Sequence, residues 1–179
     1  VGVDGAGLGH VTVTNPVSNG YGLVIESGSP VVRGNAFVGS GYAGVYIAGS
    51  GSPVIEENLF RQNGVVGLVI AGQSTADVRG NIFEDTGTGI QVAPEAQPRI
   101  SNNRVVRNHE GIVLAANARP ILENNEIAGN RHNGLVEFVT ATKVDAATPP
   151  GPILGQGSTV PASLTAEPVA PPPIPPATA

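Results

Sequence analysis

An asparagine recurs about every 22 residues, and this period constrains the fold more than any other feature of the chain. Successive members are 23, 23, 22 and 22 residues apart: Asn35, Asn58, Asn81, Asn103 and Asn125. Such a period is typical of solenoids, in which each repeat buries its apolar face by stacking on the next. Because asparagine tolerates the left-handed backbone conformation, we interpret each of these residues as a corner of the chain. The side chains of successive asparagines are expected to stack in a ladder.

The remainder of each repeat predicts three short strands. Apolar residues flank every asparagine, and a glycine about nine residues later opens an alternating apolar segment such as Leu68/Ile70. Alternation with period 2 indicates β-strands, and a proline in most repeats marks the entry to the next strand. We therefore predict an all-β chain: a parallel β-helix of about six coils over residues 1–140. The regular coils are expected to end near Glu137, which takes an inward position that is apolar in the earlier coils.

The leucine-rich repeat is the main competing solenoid, because its period overlaps. Three features oppose it: proline stands where that family's strand carries leucine, leucine is scarce, and an alternating strand replaces the helix. The β-helix is the better interpretation.

The phrases GLVIESGSPVVRGNAF, GVYIAGSGSPVIEENLF and GIVLAANARPILENNEI resemble repeats of the right-handed parallel β-helices of the pectate-lyase-like superfamily. The resemblance covers residues 1 to about 140. It implies the fold and, since β-helices of this kind are mostly secreted, an extracellular or cell-surface location. It does not select an activity, because the superfamily includes polysaccharide lyases, hydrolases, epimerases, sugar-binding scaffolds, phage fibres and surface proteins.

Residues 141–179 form a second region of different composition. Ten of the sixteen prolines lie there, with only three charged residues: Lys143, Asp145 and Glu167. This composition predicts an extended arm or linker. Val1 in place of an initiator methionine fits a processed chain or a piece of a longer protein.

The net charge of −5, without a lysine or arginine cluster, argues against a nucleic-acid partner. No apolar run is long enough to span a bilayer. Most charges fall into columns one repeat apart, where opposite signs would fix the coil register. The expected columns are Arg33/Glu56/Arg79, Asp77/Arg99, Arg61/Glu84, Asp85/Arg107 and Arg104/Glu126.

The outward positions of the glycine-led strand show neither an acidic cluster nor the paired carboxylates of glycoside hydrolysis. We therefore predict no catalytic residues, no metal and no cofactor. These positions instead predict an apolar strip that suits a protein interface: Val24, Tyr46, Val69, Val113 and Val136.

Two smaller groups are candidate contact sites. Tyr21, Tyr42 and Tyr46 fall near one edge of the first coils, where exposed tyrosines would stack on a sugar ring or contact a partner protein. His109 and His132 share one repeat position, with Glu110 adjacent, and form a weaker polar candidate.

Three functions remain open at this point. The first is a non-enzymatic structural or self-associating module, which contacts itself or another protein through open coil ends and the proline-rich arm. The second is a carbohydrate-binding β-helix, and the third is a polysaccharide lyase, hydrolase or epimerase, or a fragment of one.

Overall fold

The computed structural model describes residues 6–138, which form eighteen short strands in six coils. Each coil contributes one strand to each of three sheets, so coil 1 contains β1–β3 and coil 6 contains β16–β18. The predicted arm, residues 141–179, lies outside the described residues. No helix in the described part of the chain is long and apolar enough to cross a membrane.

The three sheets have six strands each, and every strand pairs with its equivalents in adjacent coils. The first sheet contains β1 (Gly7–Gly9), β4 (Val31–Arg33), β7 (Val54–Glu56), β10 (Asp77–Arg79), β13 (Arg99–Ser101) and β16 (Ile121–Glu123). The second contains β2 (Thr12–Val13), β5 (Ala36–Val38), β8 (Leu59–Arg61), β11 (Ile82–Glu84), β14 (Arg104–Val106) and β17 (Glu126–Ala128). The third contains β3 (Tyr21–Ile25), β6 (Ala43–Ile47), β9 (Val66–Ile70), β12 (Thr88–Val92), β15 (Glu110–Leu114) and β18 (Asn133–Glu137).

All pairings are parallel, and their register equals the sequence repeat. Val32 lies beside Ile55, and Phe37 lies beside Phe60. The predicted all-β solenoid of about six coils with three strands each is therefore confirmed. The sequence period is the structural period because each coil makes the same circuit of three strands before it returns one strand spacing further along the axis.

The core is a column of equivalent apolar layers inside the coils. Phe37, Phe60 and Phe83 stack along it, with ring centroids 5.1 and 4.5 Å apart, and all three are fully buried. The first and third sheets add aliphatic rows, such as Ile55 and Ile70.

The glycine column lets adjacent coils and the core rings approach the third sheet closely. A Cβ on Gly67 would lie 2.6 Å from the carbonyl oxygen of Gly89 and 3.0 Å from the ring of Phe83.

Each strand of the third sheet begins one residue earlier than predicted. For example, β9 begins at Val66 rather than at Gly67. The added residue belongs to the outer face, because Val66 packs with Val69 rather than with the core.

The recurring asparagines form a continuous ladder of hydrogen bonds. The backbone N–H and the Nδ2 of Asn35 both donate to Oδ1 of Asn58, at 2.9 and 3.0 Å. The same pair of bonds links Asn58 to Asn81, Asn81 to Asn103, and Asn103 to Asn125. The ladder thereby satisfies backbone N–H groups at a corner where no strand partner is available.

The corner residue itself was predicted one position too late. The left-handed conformation belongs to the residue before each ladder asparagine, including Glu57 (φ 55°), Asn102 (φ 55°) and Gly34 (φ 65°). The residue before the asparagine makes the turn, and the asparagine then directs its amide into the ladder. Sequence reasoning selected the asparagine because its identity repeats, whereas the turning residue varies.

A second ladder follows the strands of the second sheet. The backbone N–H groups of Thr86 and Asn108 donate to Oδ1 of Asn108 and Asn130, at 3.1 and 3.0 Å. Because Ser40 and Thr86 interrupt the asparagines in this column, the sequence does not reveal it as a second ladder.

Most of the predicted charge columns form ion pairs. Glu56 lies between Arg33 and Arg79, at 3.7 and 2.6 Å, and the hydrogen bond from Arg79 raises the pKa of that guanidinium. The predicted contacts Arg61–Glu84 (3.8 Å), Asp85–Arg107 (3.2 Å) and Arg104–Glu126 (3.2 Å) are also present.

The expected ion pair between Asp77 and Arg99 is wrong. The two residues are register partners, but Arg99 extends to Glu123 at 2.6 Å and Asp77 pairs with Arg79 in its own strand. Arginine is long enough to reach either neighbouring coil, so register alone does not determine its partner.

Candidate functional site

The outer face of the third sheet carries the strongest candidate for a contact site. The register aligns the predicted strip in one row across the six coils: Val24, Tyr46, Val69, Gln91, Val113 and Val136. A second row begins with Tyr21, Ala43 and Val66. Both rows lie on the side of the sheet opposite the main core.

These outward side chains form a separate apolar cluster in coils 1–3, here called the outer cluster. Its buried members are Tyr42, Ala43, Tyr46, Val66 and Val69, with Tyr21, Val24, Ala48 and Ala71 packed against them. Gln91 interrupts the row after Val69, so Val113 and Val136 lie outside the cluster and are only half-buried. The predicted five-residue strip is therefore divided by the structure.

Three tyrosines pack together at one end of the outer cluster. The ring of Tyr21 lies 5.3 Å from that of Tyr42, in an edge-to-face arrangement, and 5.3 Å from that of Tyr46. Edge-to-face contacts of this kind add to the stabilisation from burial.

Burial shifts the acidity of all three phenols. It raises the pKa of Tyr21 to about 12, with smaller contributions from Tyr42 and Tyr46. It likewise raises the pKa of Tyr42 and of Tyr46, because desolvation disfavours the phenolate. The cluster is therefore a neutral, apolar environment.

The expectation of exposed tyrosines is wrong for two of the three. Tyr42 is 7% exposed and Tyr46 is 8% exposed. Their rings offer little surface for stacking on a sugar, because they already pack against each other and against neighbouring aliphatic chains. Packing among side chains from different coils determines this burial, which a linear repeat does not reveal.

The histidine pair lies as the repeat predicted. The rings of His109 and His132 are 4.4 Å apart, both exposed, on a corner between the second and third sheets. Glu110 is the first residue of β15 and is half-buried. Within residues 6–138, no group of three or more histidine, aspartate or glutamate side chains is arranged to hold a metal ion.

His109 also lines a polar groove of about 470 Å³ that sequence reasoning missed. Its charged residues are Asp85, Arg107 and Arg131. Arg107 is held by Asp85 at 3.2 Å and by Glu84 at 2.5 Å. In the sequence, polar residues recur at this corner in successive repeats. The charge columns were interpreted only as ion pairs that fix the coil register, so the groove was not predicted.

Glu137 occupies the row position after Leu114 and is exposed. Since β18 is an edge strand of its sheet, no described coil covers this carboxylate.

The parallel sheets, the asparagine ladders and the stacked core define a β-solenoid protein. The family model described as a right handed beta helix region matches residues 2–146, most of the chain. The chain belongs to this right-handed β-helix family. No curated protein and no solved structure gives a significant match.

Proposed function

We propose that the chain is a non-enzymatic structural module, extracellular or at a cell surface, that associates with other copies through the outer cluster. The observation that carries this proposal is the apolar outer face of the third sheet. Val66 and Val69 are already buried within the outer cluster, whereas Tyr21 and Val24 in coil 1 are half-buried. A sheet face that is apolar on its outer side is characteristically covered by another protein layer.

The occupant that we propose is the proline-rich segment 141–179 of a neighbouring copy. This segment has few charges, and its ten prolines favour the extended polyproline conformation. Proline-rich segments dock on surfaces lined by aromatic side chains because little conformational entropy is lost on binding. In the outer cluster, the half-buried Tyr21 and Val24 would supply such a surface, since Tyr42 and Tyr46 are already covered.

The arrangement would be heterologous, since the arm of one copy contacts the sheet of the next. Heterologous contacts close into a ring or extend into a filament, depending on the rotation between copies. This geometry fits a structural or assembly role.

Substitution of Val24 by lysine tests the proposed docking surface. Val24 is half-buried beside the outer cluster and outside the main core, so a lysine there would oppose docking and leave the main core unchanged. Val113→Lys is the matched control, since Val113 is also half-buried and lies in the same row but outside the cluster. Light scattering should show a smaller assembly for Val24→Lys alone; the same mass for both variants as for the unmodified protein contradicts the proposal.

Carbohydrate binding is the second candidate function. The polar groove near His109 is a better candidate for the sugar site than the tyrosines are. Its side chains are hydrogen-bonding groups at the surface: Gln62, Asp85, Arg107, His109 and Arg131. A glycan array with Arg131→Ala as the control tests this reading. A signal that depends on Arg131 supports it, whereas no signal from the unmodified protein removes it.

A further inference from the structure

The last strand of the third sheet interrupts an apolar row with a carboxylate. Ile25, Ile47, Ile70, Val92 and Leu114 follow one another in register and are all buried. Glu137 takes the next position in β18 and is exposed. Among the described residues it has no ion-pair partner.

The rest of this terminal coil is apolar and suited to stacking. Leu122 and Ile127 continue the inward rows of the first and second sheets. Leu135 continues the third and is 48% exposed. Within residues 6–138, the edge strands β16, β17 and β18 each have a neighbour on one side only. Unpaired edges of this kind favour pairing with the edge of another chain.

The first described coil presents a complementary surface. Its strands β1, β2 and β3 are the opposite edges of the same three sheets. A cavity of about 140 Å³ opens there, with Leu8, Leu23 and Ile25 in its lining. Since every pairing in the solenoid is parallel, a second copy stacked coil on coil would extend all three sheets in register.

We propose that Glu137 prevents this head-to-tail stacking of a second copy. Stacking in register would place the carboxylate against Ile25 of that copy, in an otherwise apolar row. An unpaired carboxylate resists transfer from water to an apolar interior. Inward-pointing charges are one of the means by which β-proteins protect their edges.

This inference concerns contacts along the solenoid axis, so it does not rest on the lateral contact proposed above. Six coils spaced by about 4.8 Å give a rod of about 29 Å. Axial stacking therefore adds length in units of about 29 Å, whereas arm-mediated contacts through the outer cluster do not extend the sheets.

The test is the rod length of full-length Glu137→Leu in electron micrographs. We expect rods of two or more unit lengths for this variant, beyond the distribution of the unmodified protein. Glu126→Leu is the matched control, because Glu126 belongs to the same terminal coil but pairs on the outside with Arg104. It should leave the length distribution unchanged.

Two results would overturn the inference: an unchanged rod length for a folded Glu137→Leu variant, or equal lengthening by Glu126→Leu. If Glu137→Leu does not fold, Glu137→Val decides the matter, because valine occupies the same row at Val92 and is apolar. Longer rods for Glu137→Val support the inference, and unchanged rods overturn it.

Discussion

Oδ1 of Asn81 accepts two hydrogen bonds from Asn58, one from its backbone N–H at 2.9 Å and one from its Nδ2 at 3.0 Å. The backbone N–H and the side-chain Nδ2 at one corner thus both donate to a single oxygen atom at the next corner. Repetition of this relationship links the six described coils, which contain no helix and no disulfide to hold them in register.

Replacement of Asn58 by alanine should destabilise the solenoid. The change orphans the backbone N–H of Asn35 and the carbonyl oxygen of Val32, both of which Asn58 satisfies. Each unsatisfied buried group lowers the free energy of unfolding by about 1–3 kcal/mol. Urea denaturation should therefore show a clearly lower midpoint.

The control for this prediction is Asn125→Ala, at the end of the same ladder. Asn125 is only half-buried and has no further ladder residue beyond it. Asn125→Ala removes the same two kinds of hydrogen bond, to the backbone N–H of Asn103 and the carbonyl oxygen of Ile100, but at a position nearer to solvent. The loss of stability should therefore be smaller than for Asn58→Ala, and equal losses would show that the burial of the asparagine does not determine the cost.

Truncation of Phe60 should be more damaging than any change in the charge columns. Its ring lies between Phe37 and Phe83, so Phe60→Ala opens a cavity in the centre of the stack. Such truncations lower the free energy of unfolding by about 3–5 kcal/mol. Ile121→Ala, at a side chain that is 54% exposed, should have little effect in the same thermal or urea measurement.

The ion pairs should contribute little to stability and should depend on salt. Glu84 contacts Arg107 at 2.5 Å and Arg61 at 3.8 Å, and both arginines are exposed. Glu84→Gln should therefore lower the free energy of unfolding by less than about 1 kcal/mol. The difference between the two proteins should shrink in concentrated salt, and a difference that is independent of salt would point to packing instead.

Alkaline pH should weaken the folded state through the tyrosine cluster. Burial raises the pKa of Tyr21 to about 12, so the folded protein keeps a proton that the unfolded chain releases near pH 10. Stability is therefore fully present below pH 10 and falls as the pH rises towards 12. The ultraviolet absorbance of phenolate should show a transition above pH 10 in the folded protein, and titration at the ordinary tyrosine value would contradict the packing described here.

The solenoid could be predicted from the sequence because its strongest signals are local and repeated. Asn58, Gly67 and Phe60 represent positions that recur at fixed distances, and these positions are required by a corner, a close approach between coils and a core layer, respectively. The ion-pair partner of Arg99 could not be predicted, because its long flexible side chain can reach carboxylates on either neighbouring coil at a similar distance.

The candidate site was less accessible to prediction than the fold. The row containing Tyr46 and Val69 was found from alternation alone. The burial of Tyr42 and Tyr46 depends on side chains that converge from separate coils, which alternation does not encode. For the same reason, the sequence did not show that Gln91 ends the apolar cluster.

Self-association through the arm and the outer cluster is tested most directly by deletion of residues 146–179. The molar mass of the truncated and full-length proteins should be measured by sedimentation over a range of concentrations. We predict that the full-length protein forms assemblies whose mass rises with concentration, and that the truncated protein is monomeric. The same mass for both proteins at every concentration would contradict the proposed role.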